Sequence, residues 1–546
     1  QPIIRGMSGP RVKILKNGMV NRDVSGLGAD HLNDVDLNDI QQIEIVKGPS
    51  SLLYANGTIG GIINIVDDCI SALNYELPKI KVGYETQSVN DGSSKNLNYK
   101  NNIGGFNVNF GYNKINFGNY DVPSGAVFHE EEHGEHEEEE EHHEENMGFI
   151  NNSDYAVEAT KFGISKVGDW GYVGISVDNL ESIYGIPFHG DEHEDEHGDE
   201  HGDEHEDVEE HEEERIFSTT DSESFTIKGS YNLNGNLVNK IDFMYRDSDY
   251  VLTEAHEEEE GHDEHGDEEE HEEHAPTNFM NKATEYGAIL DISNDVMNQK
   301  LVFNFVDEDN SIVGEEAFMN PANNEEFTIG YYMSRDLDLF SVDLGMRIDQ
   351  IDRTGSVTDE DNGDIDYYSI DDSTNSFAVS VGKDLSDTLS VDMGFASVER
   401  LPSVIELFMN GPHMATGRLE TGNPNLMSET SDNFDITLNY ENDGFYAYAS
   451  FYVTDVDNYI TLMDEDEDHD GHEDEHHDEH EDEDHDEHGH GNLIHANYVQ
   501  EDAEFDGYEF EFGKSFDMDS GVLNLSFGRD VVNAKFSDGH YVPRIN

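Results

Sequence analysis

The chain has 546 residues and carries 124 acidic against 29 basic side chains, a formal net charge of −95. Such a polyanion repels nucleic acid and gathers cations. Its single cysteine, Cys69, excludes a disulfide framework or a cysteine-rich zinc site and reads as a structural thiol. No apolar run approaches the ~20 residues of a membrane helix, a fact that leaves a membrane barrel open, because barrel strands are amphipathic.

Residues 1–70 form the first unit, compact, glycine-rich and free of acidic runs. Short β-like runs at Arg11–Leu15, Ile43–Val46 and Gly61–Val66 alternate with turn signals at Asn17-Gly18 and Lys47-Gly48-Pro49. This pattern predicts a small α+β domain. The chain opens at Gln1 in the middle of a motif and is read as a fragment, with any signal peptide upstream.

Residues 71–546 form the second unit, and its pattern is all-β. Stretches such as Asn107–Tyr112, Phe225–Tyr231, Lys240–Tyr245, Ser341–Met346 and Phe445–Phe451 alternate polar and apolar residues and are rich in aromatics. About seventeen such strands fit between Pro78 and Phe536, each of the length a tilted membrane strand needs. Their connections alternate. Short ones include 167–171, 232–235, 293–295, 384–387 and 441–444. Long ones begin near Gly118, Glu181, Leu252, Asp309, Thr354, Val398 and Met463. In an antiparallel meander, alternate connections lie at opposite ends. The fold class expected is therefore a transmembrane antiparallel β-barrel around an α+β domain. An odd strand count and an end in mid-loop predict a barrel that cannot close as it stands.

Four long connections hold runs of glutamate, aspartate and histidine: His129–Glu145, His189–Glu214, His256–His274 and Asp464–His490. With His495 they contain 25 of the 28 histidines. Such runs have nothing to bury and are expected to be disordered. They match HExxH at His193–His197 and His472–His476, but lack the apolar helix face that motif needs, so composition alone explains the match. Interleaved imidazole and carboxylate make each run a weak, exchanging trap for divalent ions. Plain solvating polyanions would need no histidine.

Two histidines outside the runs draw attention: His31, after Asp30 on a loop of the first unit, and His413, on a long loop of the second. The third, His540, has no assigned role. Without usable cysteine, a four-donor metal site must come from His, Asp and Glu.

The first unit includes Ile4-Arg5-Gly6, Val12–Gly18, Ile43–Tyr54 (IEIVKGPSSLLY) and Gly57–Val66 (GTIGGIINIV). This resembles the plug domain of TonB-dependent outer-membrane receptors. The resemblance implies a 22-stranded barrel with about five strands missing here, a monomer embedded in outer-membrane lipid, and energy from the TonB complex on the periplasmic side. It implies a transporter and no enzyme. The runs Asp23–His31, Gly314–Phe318, Glu399–Phe408, Gly411–Thr416 and Gly422–Leu426 resemble the zinc-uptake branch of that family. That narrower likeness implies zinc as transported substrate rather than cofactor. It also implies a site of Asp30, His31, His413 and a glutamate, Glu316, with Glu315 as the alternative. Nickel, cobalt, copper or a metal chelate such as a siderophore on the same fold, and a surface cation-binding protein without transport, remain alternatives.

Overall fold

The computed structural model describes residues 2–26, 31–124, 126, 148–187, 215–233, 235, 237–256, 275–314, 317–359, 362–413, 416–465, 493–519 and 521–543. The first unit is a four-stranded sheet in the order β2-β1-β4-β3, built from β1 (Val12–Lys16), β2 (Met19–Val20), β3 (Gln42–Val46) and β4 (Gly61–Val66). The β1–β2 hairpin turns through Asn17 and Gly18 at φ of 56° and 86°, the left-handed pair that a two-residue turn requires. Leu15, Ala55 and Ile62 close a small core between this sheet and the turn that carries Ser51–Leu53.

The second unit runs β5 (Lys79–Gln87), β6 (Gly92–Ile103), β7 (Phe106–Phe117), β8 (Tyr120–Asp121), β9 (Phe149–Ile150), β10 (Tyr155–Gly168), β11 (Gly171–Gly185), β12 (Ile216–Asn232) and β13 (Lys240–His256). It continues through β14 (Thr277–Asp291), β15 (Asn298–Val313), β16 (Ala322–Asp336), β17 (Ser341–Thr358), β18 (Ile365–Ser386) and β19 (Leu389–Arg400). After one short helix, α1 (Val404–Phe408), come β20 (Asn410–His413), β21 (Arg418–Thr421), β22 (Glu429–Asn442), β23 (Phe445–Asp464), β24 (Ile494–Met518) and β25 (Gly521–Phe536). The strands follow one another around a barrel, with β8–β9 a separate hairpin and β20–β21 a short insertion in its upper wall. Without that insertion the wall has seventeen strands among the described residues, the number expected from alternation. Paired residues run unbroken from β5 through β25. The barrel is closed, with β25 next to β5 in the strand order. Both strands are exposed over most of their length. The expectation that the barrel cannot close as it stands is therefore corrected: β25, the last strand, comes round to β5, the first.

Neighbouring strands meet at alternately short and long connections, as expected. Gly104-Gly105, Asp169-Trp170, 337–340 and Asp443-Gly444 turn the chain at one end. The connections at 122–154, 186–215, 257–276, 314–321, 359–364, 401–428 and 465–493 lie at the other, and all four acidic runs belong to these. The runs themselves lie outside the described residues, apart from His256, Asp464 and Glu465 at their ends. Outward-facing apolar side chains form a belt, for example Phe303, Ile329 and Ile348, which are register partners across three strands. Two same-face positions toward the long connections, that face turns acidic. Glu325, Asp352 and Asp371 are successive partners, as are Asp432, Asp455 and Glu504. Carboxylates directly opposite one another are unfavourable in a lipid interior, so this row marks where hydrocarbon ends.

The first unit lies inside the barrel, pinned by ion pairs to the wall. Arg5 and Lys47 meet Glu509 at 2.9 and 2.8 Å, Lys16 meets Asp178 at 2.8 Å, and Arg22 meets Glu308 at 2.9 Å. The deepest of these contacts involves Arg11, whose guanidinium donates to both oxygens of Glu429 at 2.7 Å and stacks over Tyr459. Glu429 also accepts from Arg400, which in turn grips Glu406 of α1. Cys69 is buried where the two units join, and burial pushes its thiol pKa up, which suits a packing role.

Candidate metal site between plug and wall

The loop that carries His413 is shaped by local rules. Helix α1 starts with a capping box, in which the Ser403 side chain accepts from the Glu406 N–H and Glu406 accepts from the Ser403 N–H. Leu407, Phe408 and Met409 then bury themselves in the largest apolar cluster. The Asn410 N–H donates to the Phe318 carbonyl at 2.6 Å, which ties this loop to the 314–321 connection. Gly411 sits at φ 148° against Phe318, where an added Cβ would lie 3.1 Å away, so the close approach requires glycine. The β20–β21 hairpin is fastened to the wall by a parallel pairing of β21 with the start of β24 and by Arg418–Asp464 at 2.7 Å.

The segment that carries His31 is moored from inside. The Asp34 carboxylate accepts from Ser182, Thr220 and Tyr250 at 3.3, 2.9 and 2.9 Å, hydroxyls from three adjacent strands. Burial nevertheless raises its pKa above the ordinary value. Asp36 accepts from Asn113 at 3.1 Å.

These anchors bring together two residues separated by 382 positions in sequence. His31 and His413 are 1 % and 2 % exposed, with nearly parallel rings and centroids 5.9 Å apart. Phe279 meets His31 edge-on at 4.9 Å, Phe318 lies 4.7 Å from His413, and the two phenylalanines are 5.7 Å apart. Four rings thus close a loop of contacts, with one histidine from the plug and one from the barrel. Asp30, Glu315 and Glu316 lie outside the described residues. Among the described residues no group of three His, Cys, Asp or Glu side chains converges as a metal cage. His540 is an exposed residue beside Asp538, far from this chemistry in both burial and role.

Sequence reasoning missed Glu420. It is 2 % exposed, and its Oε1 lies 3.1 Å from His413 Nδ1. Nothing local flags it. Glu420 stands opposite Gly411 and diagonal to His413, a relation set only by the register of the hairpin. Phe279, Phe318 and Asp34 were missed for the same reason, since each matters through its tertiary neighbours.

A large β-barrel with outward apolar belt, an internal plug fixed by salt bridges and a buried plug–wall site define the class of active outer-membrane transporters. Two family profiles match the chain: "TonB-dependent Receptor Plug Domain" over residues 1–62 and "TonB dependent receptor-like, beta-barrel" over residues 71–546. The protein belongs to the TonB-dependent receptor family, whose members are transporters in the outer membrane of Gram-negative bacteria, coupled to TonB. Solved structures agree in fold. The structure titled "Copper transporter OprC" is 14% identical with a TM-score of 0.71, over 99% of this chain and 76% of that one. The FrpB iron transporter from Neisseria meningitidis (F3-3 variant) is 13% identical at 0.64, over 97% and 73%. The hemophore receptor HasR of Serratia marcescens, solved as a double mutant with its hemophore HasA and heme, is 13% identical at 0.66, over 97% and 75%.

Proposed function

We propose that this receptor imports zinc ions. The observation that carries the reading is the buried His31–His413 pair, one imidazole on the plug and one on the wall. An ion held between them would be sensed by both bodies at once. Imidazole nitrogen suits zinc, and Asp30, adjacent to His31, with Glu316, two residues before Phe318, would supply the oxygen donors of a tetrahedral set.

The His-rich acidic connections would collect cations at the barrel mouth, and the outward acidic row beneath them adds to that field. TonB supplies the work of moving the plug, because nothing in the barrel stores energy. A second reading, copper, draws on Met319 and Met409, which are buried in the same cluster and bridged through their backbones. Thioethers favour the softer ion.

The test is uptake of radiolabelled zinc by cells with and without TonB, using the wild type, His31→Ala and His413→Ala, with equimolar copper, nickel and cobalt as competitors. TonB-dependent zinc uptake that either substitution lowers at limiting zinc is the expected result. Uptake indifferent to both histidines overturns the site, and preferential competition by copper replaces zinc with the second reading.

A further inference from the structure

We propose that Glu420 is a positioning residue for the metal-binding nitrogen of His413. This rests on the reading of the site given above. Glu420 and His413 lie on one face of the β20–β21 hairpin, at diagonal positions, with Gly411 opposite Glu420. Both side chains are almost fully buried. His413 Nδ1 and Glu420 Oε1 are 3.1 Å apart, so the imidazole donates from Nδ1 to the carboxylate. Thr416 reinforces the arrangement, its hydroxyl lying 2.9 Å from the same Glu420 oxygen and 3.0 Å from the His413 carbonyl.

The consequence is a choice of tautomer. With the Nδ1 proton committed to Glu420, the lone pair is on Nε2, and Nε2 becomes the coordinating atom. A carboxylate behind a ligand imidazole fixes the orientation of the ring and raises the basicity of the coordinating nitrogen. The hairpin carries both groups, so the pair moves as a unit. His31, the plug's contribution, instead depends on the Asp34 mooring for its position. The two histidines are therefore prepared unequally: the wall histidine by its own hairpin, the plug histidine by contact with the wall. A plug displaced by TonB would withdraw His31 and leave the His413–Glu420 pair in place on the wall.

The experiment measures zinc uptake kinetics in cells that make the full protein, comparing Glu420→Ala and Glu420→Gln with His413→Ala, and counts receptor in the outer membrane for each. Loss of the carboxylate behind a ligand histidine weakens metal binding by about 10–100-fold. Glu420→Ala is expected to raise KM for zinc by that factor with Vmax per receptor and receptor abundance unchanged. Glu420→Gln keeps an acceptor for Nδ1–H and should recover part of the loss. A merely structural role would lower abundance or thermal stability and leave KM alone, and that outcome overturns the proposal. Should Glu420→Ala leave KM unchanged while His413→Ala raises it, positioning fails and the site survives. If His413→Ala leaves KM unchanged as well, both are overturned.

Discussion

Replacing Arg11 with methionine tests how the plug is held. In the wild type, four charges lie in one buried row: Arg11, Glu429, Arg400 and Glu406. They sum to zero. Glu429 is fully buried and accepts from Arg11 twice at 2.7 Å, from Arg400 at 2.8 Å and from the Ile460 N–H at 3.2 Å. Arg11→Met removes one cation and leaves the row with a net negative charge in a site without solvent. Breaking a buried pair in this way costs about 3–5 kcal/mol. Arg400 still faces Glu429, which places the loss at about 3 kcal/mol, or roughly two powers of ten in the docking equilibrium of the plug. Hydrogen exchange on the purified receptor reads this directly. Amides of β1 and β4 should lose about 100-fold of protection, with the barrel strands unchanged. The double variant Arg11→Met/Glu429→Gln leaves only the neutral Arg400–Glu406 pair and should regain more than half of the loss. If the single variant changes protection by less than about threefold, or the double is no better than the single, charge balance is not what holds the plug.

Two further outcomes follow from the plug. Burial lifts the Asp23 carboxyl from its ordinary 3.8 to about 6, against the opposing hydrogen bonds from Ser25 and Asn21. A raised carboxyl favours the folded plug below its unfolded value, and that contribution fades as pH climbs through about 6, for a total of about 3 kcal/mol. Asp23→Asn should therefore match the wild type near pH 4 and exceed it in plug stability above pH 7, and a difference that is flat with pH would refute this. Gly345 on β17 faces the plug turn so closely that a Cβ would stand 2.3 Å from the Pro49 carbonyl. Gly345→Ala should cost about 1–3 kcal/mol of plug docking. Gly528→Ala, whose Cβ meets nothing nearer than 3.9 Å, should be silent in the same exchange measurement.

Much of the architecture was legible because barrels write it into the sequence with short periods. Alternation marks each strand, and turn chemistry such as Asn17-Gly18 and Asp443-Gly444 marks where strands reverse. Connection length then sorts the two ends, so the placement of the acidic runs on the long-connection side needed no coordinates. The two isolated histidines could likewise be singled out, since the remaining 26 were either clustered in acidic stretches or, like His540, in the chain's tail.

What the chain could not express locally is who meets whom across the lumen. His31 reaches His413 because the Asp34 segment binds three strands and the β20–β21 hairpin is held to the wall by its pairing with β24, and neither event has a periodic signature. Glu420 joins them through a diagonal register relation seven residues from its partner, and a one-residue slip of that hairpin would turn it away. Short-range patterning follows from backbone geometry and solvent, so residue order by itself determined strands, turns and sidedness. The meeting of His31, His413 and Glu420 is a long-range packing solution, reached only when plug and wall close on each other, and that was decided by the tertiary structure alone.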